Sequence, residues 1–248
     1  PQGRNAQRAI PRGVSPYPTP YIAPLSQVLE SPKTTDWQLV YDFDDKVIQD
    51  GADSSYLYML SNQDTEAGKI TRISFTNPAN HQVVLAAPET GYLKDMKITP
   101  KTVYAEIIEN GLSTLWDVNQ DQAIPLPFQG SIDLHESGSS ATAQGETLLF
   151  GLSNWSHGYG IYYYDPSKGK VVPSDMRPAG PYDTPENLTV EETTVTSHDG
   201  AQVPVSIIYD RTRRDDSSPT IIEVYGAYGE SLESYLSVEM LAWYNRGG

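Results

Sequence analysis

The feature that most constrains this 248-residue chain is a long-period recurrence of short strand-forming runs. The first group reads WQLVYDF, SSYLYMLSN, KITRISFTNP and QVVLAAP. The second reads GYLKDMKIT, TVYAEIIENG, STLWDVN and AIPLPF, and the third SIDLHES, ETLLFGLSN, GIYYYDPSKG and KVVPS. In each, the third run ends on an apolar or aromatic residue and then a polar turn. These are Phe75 before Thr76-Asn77-Pro78, Trp116 before Asp117-Val118-Asn119, and Tyr164 before Asp165-Pro166. The turn returns after about 42 and then about 48 residues, near the roughly 40–50 residue period of propeller blades. A blade has faces that it cannot bury alone, so blades stack around a ring. Three do not close one, since propellers typically hold four to eight, and the sequence therefore predicts an incomplete set of C-terminal blades. A β-sandwich of about a dozen strands is the competing arrangement on pattern alone.

Composition fits many short strands joined by turns. Nineteen Gly and nineteen Pro supply the turns, and 17 Tyr with 4 Trp supply aromatic strand formers. With 38% hydrophobic and 20% charged residues the chain has the profile of a folded protein rather than a disordered one. The formal net charge of −15 argues against nucleic acid and anionic membrane surfaces as partners. There is no cysteine, which excludes disulfides, a thiol nucleophile and Cys-ligated zinc. No run approaches the roughly 18 apolar residues of a membrane span.

The pattern divides the chain into three parts. Residues 1–35 are Pro-rich and are read as an irregular segment or partial blade, and 36–180 as three blades. Within the third part, residues 181–248, the composition changes. A Pro/Gly-rich linker, MRPAGPYDTPEN (176–187), leads into two alternating strands, NLTVEETTVTSHDG and AQVPVSIIYD. An Asp-Gly turn at His198-Asp199-Gly200 joins them. The charged loop RTRRDDSSP precedes PTIIEVYG, a continuous apolar run of the kind buried in a parallel sheet, interrupted by Glu223. LSVEMLAWYNRGG then predicts an amphipathic helix with Leu236, Met240, Leu241 and Tyr244 on one face and Gly247 as its stop. The sequence stops where a further strand is expected.

From about Trp37 onward the chain resembles the prolyl oligopeptidases and the related oligopeptidase B group. The residues that carry the likeness are VTSHDGAQVPVSIIYD, then SSPTIIEVYGAYGESL, then LSVEMLAWYNRGG, in that order and spacing. The resemblance implies a β-propeller followed by the start of an α/β-hydrolase domain, and it covers roughly the middle third of such a protein. It implies a serine-type peptidase acting on oligopeptides, after proline or after basic residues, with no cofactor or metal. The expected partners are the peptide substrate and the remainder of its own chain, with the cytoplasm as the expected compartment and the periplasm as the alternative. In this family the Tyr of a Tyr-Gly-x-aromatic motif gives its hydroxyl to the oxyanion hole. Carried over, that residue is Tyr225. Gly226 would let the chain turn beside the substrate, and Tyr228 would line the pocket for the residue before the scissile bond. Glu223 and Val224 depart from the Tyr-Gly that often precedes the motif. A phenol O–H aimed at charge that develops in the transition state is worth about 3–4 kcal/mol.

The nucleophile, acid and base are not found in this stretch. A hydrolase Ser sits on a Gly-x-Ser-x-Gly elbow, and Gly151-Leu152-Ser153-Asn154-Trp155 lacks the second Gly and falls on a blade strand. The segment by itself is thus expected to be inactive. Asp117, Asn119 and Asp121 start like a calcium loop, but Gln122 and Phe128 replace its Gly and terminal Glu, so a blade turn is expected. His81, His135, His157 and His198 lack ligand spacing, and Ser167-Lys168-Gly169-Lys170 reads as a turn. Two rival functions are a non-catalytic propeller that binds peptides or proteins, and an acyl-aminoacyl or dipeptidyl peptidase of similar architecture.

Overall fold

The computed structural model describes residues 5–10, 17, 19–134, 147–226 and 231–246. β1 (Asn5–Ile10), β2 (Thr19–Pro24) and β3 (Gln38–Leu39) form a three-stranded sheet, with the short helix α1 (Leu25–Glu30) between β2 and β3. Part of the Pro-rich beginning is therefore regular. Pro20 and Pro24 stand near the ends of β2, where a missing N–H disturbs a ladder least, and they mask the strand in the sequence.

Three four-stranded sheets follow, each with its strands paired in chain order. The first holds β4 (Val47–Ala52), β5 (Tyr56–Ser61), β6 (Lys69–Ser74) and β7 (Asn77–Ala86). The second holds β8 (Gly91–Ile98), β9 (Val103–Glu109), β10 (Leu112–Asp117) and β11 (Gln122–Ile124). The third holds β12 (Ser131–Asp133), β13 (Leu148–Asn154), β14 (His157–Asp165) and β15 (Lys170–Pro173). The recurrent polar turns sit between the third and fourth strands of each sheet, where the period places them. The β9–β10 turn uses Asn110 and Gly111, both at positive φ (52° and 79°), as a tight hairpin requires.

Burial is concentrated in the second strand of each sheet. β5 is buried from Leu57 to Ser61, β9 from Val103 to Ile108, and Leu148, Phe150, Leu152 and Ser153 of β13 are buried. Successive residues of a strand face opposite sides, so continuous burial means that both faces of these strands are covered. A sheet with one wet face would show alternation instead.

The chain divides into two compact units, Pro1–Ala105 with Val118–Gln120, and Glu106–Asp117 with Asp121–Gly248. In the first, Tyr41, Val47, Leu57, Met59 and Ile73 form a core cluster with Val40 and Phe75 against it. The Tyr41 hydroxyl donates to Asp50 Oδ1 at 2.9 Å, and burial, with the Asp50 carboxylate beside it, pushes that phenol well above its ordinary range. The Gln49 side chain joins the first sheet to β8. Its Nε2 donates to the Met96 carbonyl at 2.8 Å and its Oε1 accepts from the Met96 N–H at 2.8 Å. In the second unit Ser113 of β10 does similar work. Its N–H donates to the Gly130 carbonyl at 3.3 Å, its hydroxyl accepts from the Ile132 N–H at 3.3 Å, and that hydroxyl donates to the buried Glu106 at 2.6 Å.

β16 (Leu188–Thr196) and β17 (Gln202–Asp210) form a separate two-stranded antiparallel sheet in the second unit. The last element is α2 (Val238–Tyr244).

Removing the Gln49 amide leaves the buried Met96 carbonyl without that donor, and an unsatisfied buried backbone group costs about 1–3 kcal/mol. Gln49→Ala is expected to lose about 2 kcal/mol in urea unfolding, and Gln49→Leu, which restores bulk without hydrogen bonds, is expected to recover little of it.

Candidate functional site

The stretch from Met176 to Asn187, read as a linker, is folded. Arg177 makes a two-pronged pair with Asp183, Nη1 to Oδ2 at 2.9 Å and Nη2 to Oδ1 at 3.0 Å. The same carboxylate accepts from the Gly180 N–H at 2.5 Å, and the Asp183 carbonyl accepts from the Gly158 N–H on β14 at 2.8 Å. Gly158 is needed there: a Cβ would lie 2.6 Å from Asp183 Oδ1. The Arg177 guanidinium, and secondly the Gly180 N–H, hold the Asp183 carboxyl below its ordinary value of 3.8. The linker is thus a strap tied to the third sheet.

Past it, the hairpin matches the sequence reading. The Gly200 N–H donates to the Ser197 carbonyl at 2.9 Å, and the Ala201 N–H donates to Asp199 Oδ1 at 3.1 Å. Val195, Val203, Ile207 and Ile208 are exposed, so both faces of the hairpin carry uncovered apolar side chains. At its base Asp210 is buried and accepts from the Thr212 hydroxyl at 2.6 Å and the Thr212 N–H at 2.7 Å. Arg213 Nη1 donates to the Asn245 carbonyl at 2.6 Å, and the Tyr244 hydroxyl donates to the Glu186 carbonyl at 2.8 Å. These bonds dock the end of α2 against the strap and the hairpin base.

The run 219–226 differs from expectation. It carries no strand pairing and is exposed throughout, with Ile222 83% and Val224 81% accessible. A strand exists only as one member of a ladder, and among the described residues none pairs with this run. Its apolar composition signals a buried strand, but composition does not supply the partner.

Tyr225 stands at the end of this run and is 53% exposed. Gly226 is also exposed, and a Cβ there would meet nothing within 4 Å, so no close neighbour in this structure demands a glycine. Tyr228 lies outside the described residues. α2 is shorter than the predicted helix. Ser237 caps it by accepting from the Met240 N–H at 3.3 Å, Leu241 and Tyr244 are buried, Met240 is exposed, and Leu236 precedes the first turn. Gly247, the expected stop, lies outside the described residues.

The remaining motifs resolve into turns and packing. Ser153 is a buried residue of β13 whose hydroxyl donates to the Ser234 carbonyl at 3.4 Å. Asn119 spends its amide on the Lys101 carbonyl at 3.1 Å, and Asp121 sits at φ 52° in the β10–β11 turn. Ser167 and Lys168 both bind Asp165, at 2.6 and 3.1 Å. His157 stacks on Phe128 at 4.4 Å and receives its backbone fixing from Asn154 Oδ1. His198 stands in the hairpin turn beside the Ser197 hydroxyl, and His135 lies outside the described residues. Among the described residues no group of three His, Asp or Glu is placed to hold a metal ion, and no helix is long and apolar enough to cross a membrane. A shallow pocket of about 300 Å³ in the first unit is lined by Tyr58, Arg72, Val84, Val118 and Asn119. Its Arg72 lies over the Tyr56 ring at 4.4 Å and donates Nε–H to Gln82 at 3.1 Å, so this cation already serves the sheet. Sequence reasoning missed the strap and the Ser153–Ser234 contact, because neither has a periodic or spacing signal.

The strap has a defined pH response. Because the folded Asp183 carboxyl titrates below 3.8, its contribution is complete above that value and is lost as pH falls through the lowered one. An NMR titration of Asp183 should give a midpoint below that of a free aspartate, and Arg177→Ala should return it toward 3.8. At neutral pH the same variant should speed subtilisin nicking within residues 178–182 by about tenfold, as expected of a loop that opens more often.

Comparison with known proteins agrees with the strand pattern. The profile of the prolyl oligopeptidase N-terminal β-propeller domain matches residues 21–177. A curated prolyl endopeptidase of Elizabethkingia meningoseptica is 23% identical over 221 residues, covering 87% of this chain and 30% of the relative. Among solved structures, oligopeptidase B from Trypanosoma brucei with covalently bound antipain aligns with a TM-score of 0.78 at 17% identity, over 98% of this chain and 37% of that one. Prolyl oligopeptidase B from Galerina marginata, bound to a 35mer hydrolysis and macrocyclization substrate, aligns with a TM-score of 0.77 at 16% identity, over 98% of this chain and 35% of that one. The chain thus spans about a third of the length of these relatives. With four-stranded sheets paired in chain order over the matched residues, it belongs to the prolyl oligopeptidase family and carries blades of that family's N-terminal β-propeller domain.

Proposed function

We propose that this chain forms the passage from propeller to peptidase in a serine-type oligopeptidase that hydrolyses short peptides, preferentially after proline. Residues 181–248 are then the first strands and helix of an α/β-hydrolase domain. One observation carries the reading: past the third four-stranded sheet come a strap, an Asp-Gly hairpin, an apolar run ending on Tyr225-Gly226, and a capped helix. The uncovered apolar side chains of the hairpin and of run 219–226 suit strands awaiting neighbours in a larger sheet. The preference for proline rests on the curated relative, a prolyl endopeptidase.

In this reading a Ser outside these 248 residues attacks the scissile carbonyl, and a His, oriented by an Asp, moves the proton. Tyr225 donates its hydroxyl to the developing oxyanion together with a backbone N–H. Its exposed position at the end of the run leaves the phenol accessible to a ligand. Gly226 keeps side-chain bulk away from that oxygen, and Tyr228 lines the pocket for the residue preceding the cleaved bond. The propeller restricts entry to short, extended peptides. Neither metal nor cofactor is required, and the 248 residues by themselves should hydrolyse no peptide.

The test is turnover of a Gly-Pro-linked fluorogenic peptide by the intact protein and its Tyr225→Phe variant. Loss of one oxyanion donor should lower kcat about a hundredfold with little change in KM. Turnover untouched by the substitution would make Tyr225 a packing residue. No turnover of this substrate or of one with a basic residue would sink the peptidase reading.

A further inference from the structure

The connection between β9 and β10 is two residues long, since β9 ends at Glu109 and β10 begins at Leu112. A two-residue loop that follows the twist of its strands needs positive φ at both positions, and Asn-Gly takes that conformation at least cost. Asn110 and Gly111 stand at φ 52° and 79°. The residues that suit this turn are also a reactive pair. The side-chain amide carbon of an asparagine lies within ring-closing reach of the next residue's backbone nitrogen. A side chain on that next residue crowds the ring, and glycine has none. Of the nine asparagines in the chain, Asn110 alone is followed by glycine.

The surroundings leave the pair open to reaction. Asn110 and Gly111 are both exposed, and a Cβ on Gly111 would meet nothing within 4 Å. Among the described residues no hydrogen bond holds the Asn110 amide. Other asparagines are held: Asn119 and Asn154 donate theirs to the Lys101 and Gln129 carbonyls, at 3.1 and 2.8 Å.

We propose that Asn110 is a site of spontaneous modification, at which the folded protein loses ammonia and gains a mixture of aspartyl and β-linked isoaspartyl residues. The Gly111 nitrogen attacks Asn110 Cγ. A new C–N bond forms as the bond to the side-chain nitrogen breaks, and the Gly111 proton leaves with that nitrogen as ammonia. Water then opens the cyclic imide at either carbonyl, so the only co-reactant is water. Opening at Cγ restores the ordinary backbone, whereas opening at the backbone carbonyl leaves the chain running through Cβ and Cγ. Either product places a new carboxylate beside Glu109, in a chain whose formal charge is already −15. The β-linked product also puts an extra carbon into a two-residue turn, which must then be remade. Ser113 stands two residues past Gly111, and its hydroxyl meets the Ile132 N–H and the buried Glu106. Remaking the turn loosens that hold on Ile132.

The test ages the intact protein in mildly alkaline buffer, where the attacking backbone nitrogen gives up its proton more readily, and maps its peptides. Conversion at Asn110 should run about tenfold faster than at Asn119 or Asn154, whose amides must first be released. The acidic fraction collected by ion exchange should accept methyl groups from an isoaspartyl carboxyl methyltransferase. Asn110→Gly, which still takes positive φ in the turn, should abolish the conversion and the methylation together. Amide exchange at Ile132 should quicken about tenfold in the acidic fraction. Asn110→Asp adds the charge without lengthening the backbone, and Asp tolerates positive φ, so exchange at Ile132 should stay near wild type in that variant. These readouts need no peptidase activity. Conversion of Asn110 in urea-unfolded protein but not in the folded one would overturn the site, because the turn would then protect it. An acidic fraction that accepts no methyl groups would overturn the β-linked product, and unchanged exchange at Ile132 in that fraction would overturn the loosening.

Discussion

The second strand of each four-stranded sheet is buried on both of its faces, and a single sheet cannot cover both. β9 makes the point: Val103, Tyr104, Ala105, Ile107 and Ile108 are buried along one continuous strand, and the Glu106 among them is wholly buried and bonded to Ser113. Such a strand is stable only between neighbours, at roughly 25 cal/mol for each Å² of apolar surface taken from water. The propeller follows from that requirement. Where sheets meet within a unit, the backbone polar groups left over are met by side chains. Gln49 meets both groups of Met96, and Ser113 receives the N–H of Ile132. Ser131 and Ser153 use the same device on Ser234.

The same device reaches beyond the propeller sheets. A blade that holds a neighbouring blade by meeting its backbone groups also holds a non-propeller segment in the same way. The strap serves the other side. Arg177 and Asp183 close it, and the Gly158 N–H ties it to β14, so both the outgoing and the returning chain are attached to one sheet.

Much of the fold is legible in the residues because it is local. The polar turns after Phe75, Trp116 and Tyr164 and the Asp199-Gly200 hairpin depend on a few adjacent side chains, and the structure places them where pattern reading puts them; WQLVYDF, read as the first strand of the first blade, instead gives Gln38–Leu39 paired with β2, and the first four-stranded sheet opens on β4. What escapes is non-local or conditional. Ser131 and Ser234 are 103 residues apart and neither is unusual in its own neighbourhood. The strap reads as a loop because Pro and Gly dominate it, while the ion pair that folds it spans six positions with no repeating pattern. The run 219–226 has the composition of a buried strand but no partner among the described residues, so composition alone mistakes what the segment suits for what it does here. Of the candidate site, the motif around Tyr225 is visible in the sequence, whereas the contact of Ser234 with Ser131 and Ser153 is visible only in three dimensions.

We propose that this propeller-bearing chain is part of a serine hydrolase whose nucleophile is not among the serines of these 248 residues, Ser153 included. The most direct measurement is labelling of the intact protein with a fluorophosphonate, followed by peptide mapping of the modified residue. The account predicts one labelled serine, in a Gly-x-Ser-x-Gly setting and outside these 248 residues. Absence of labelling, or a label on Ser153, would contradict it.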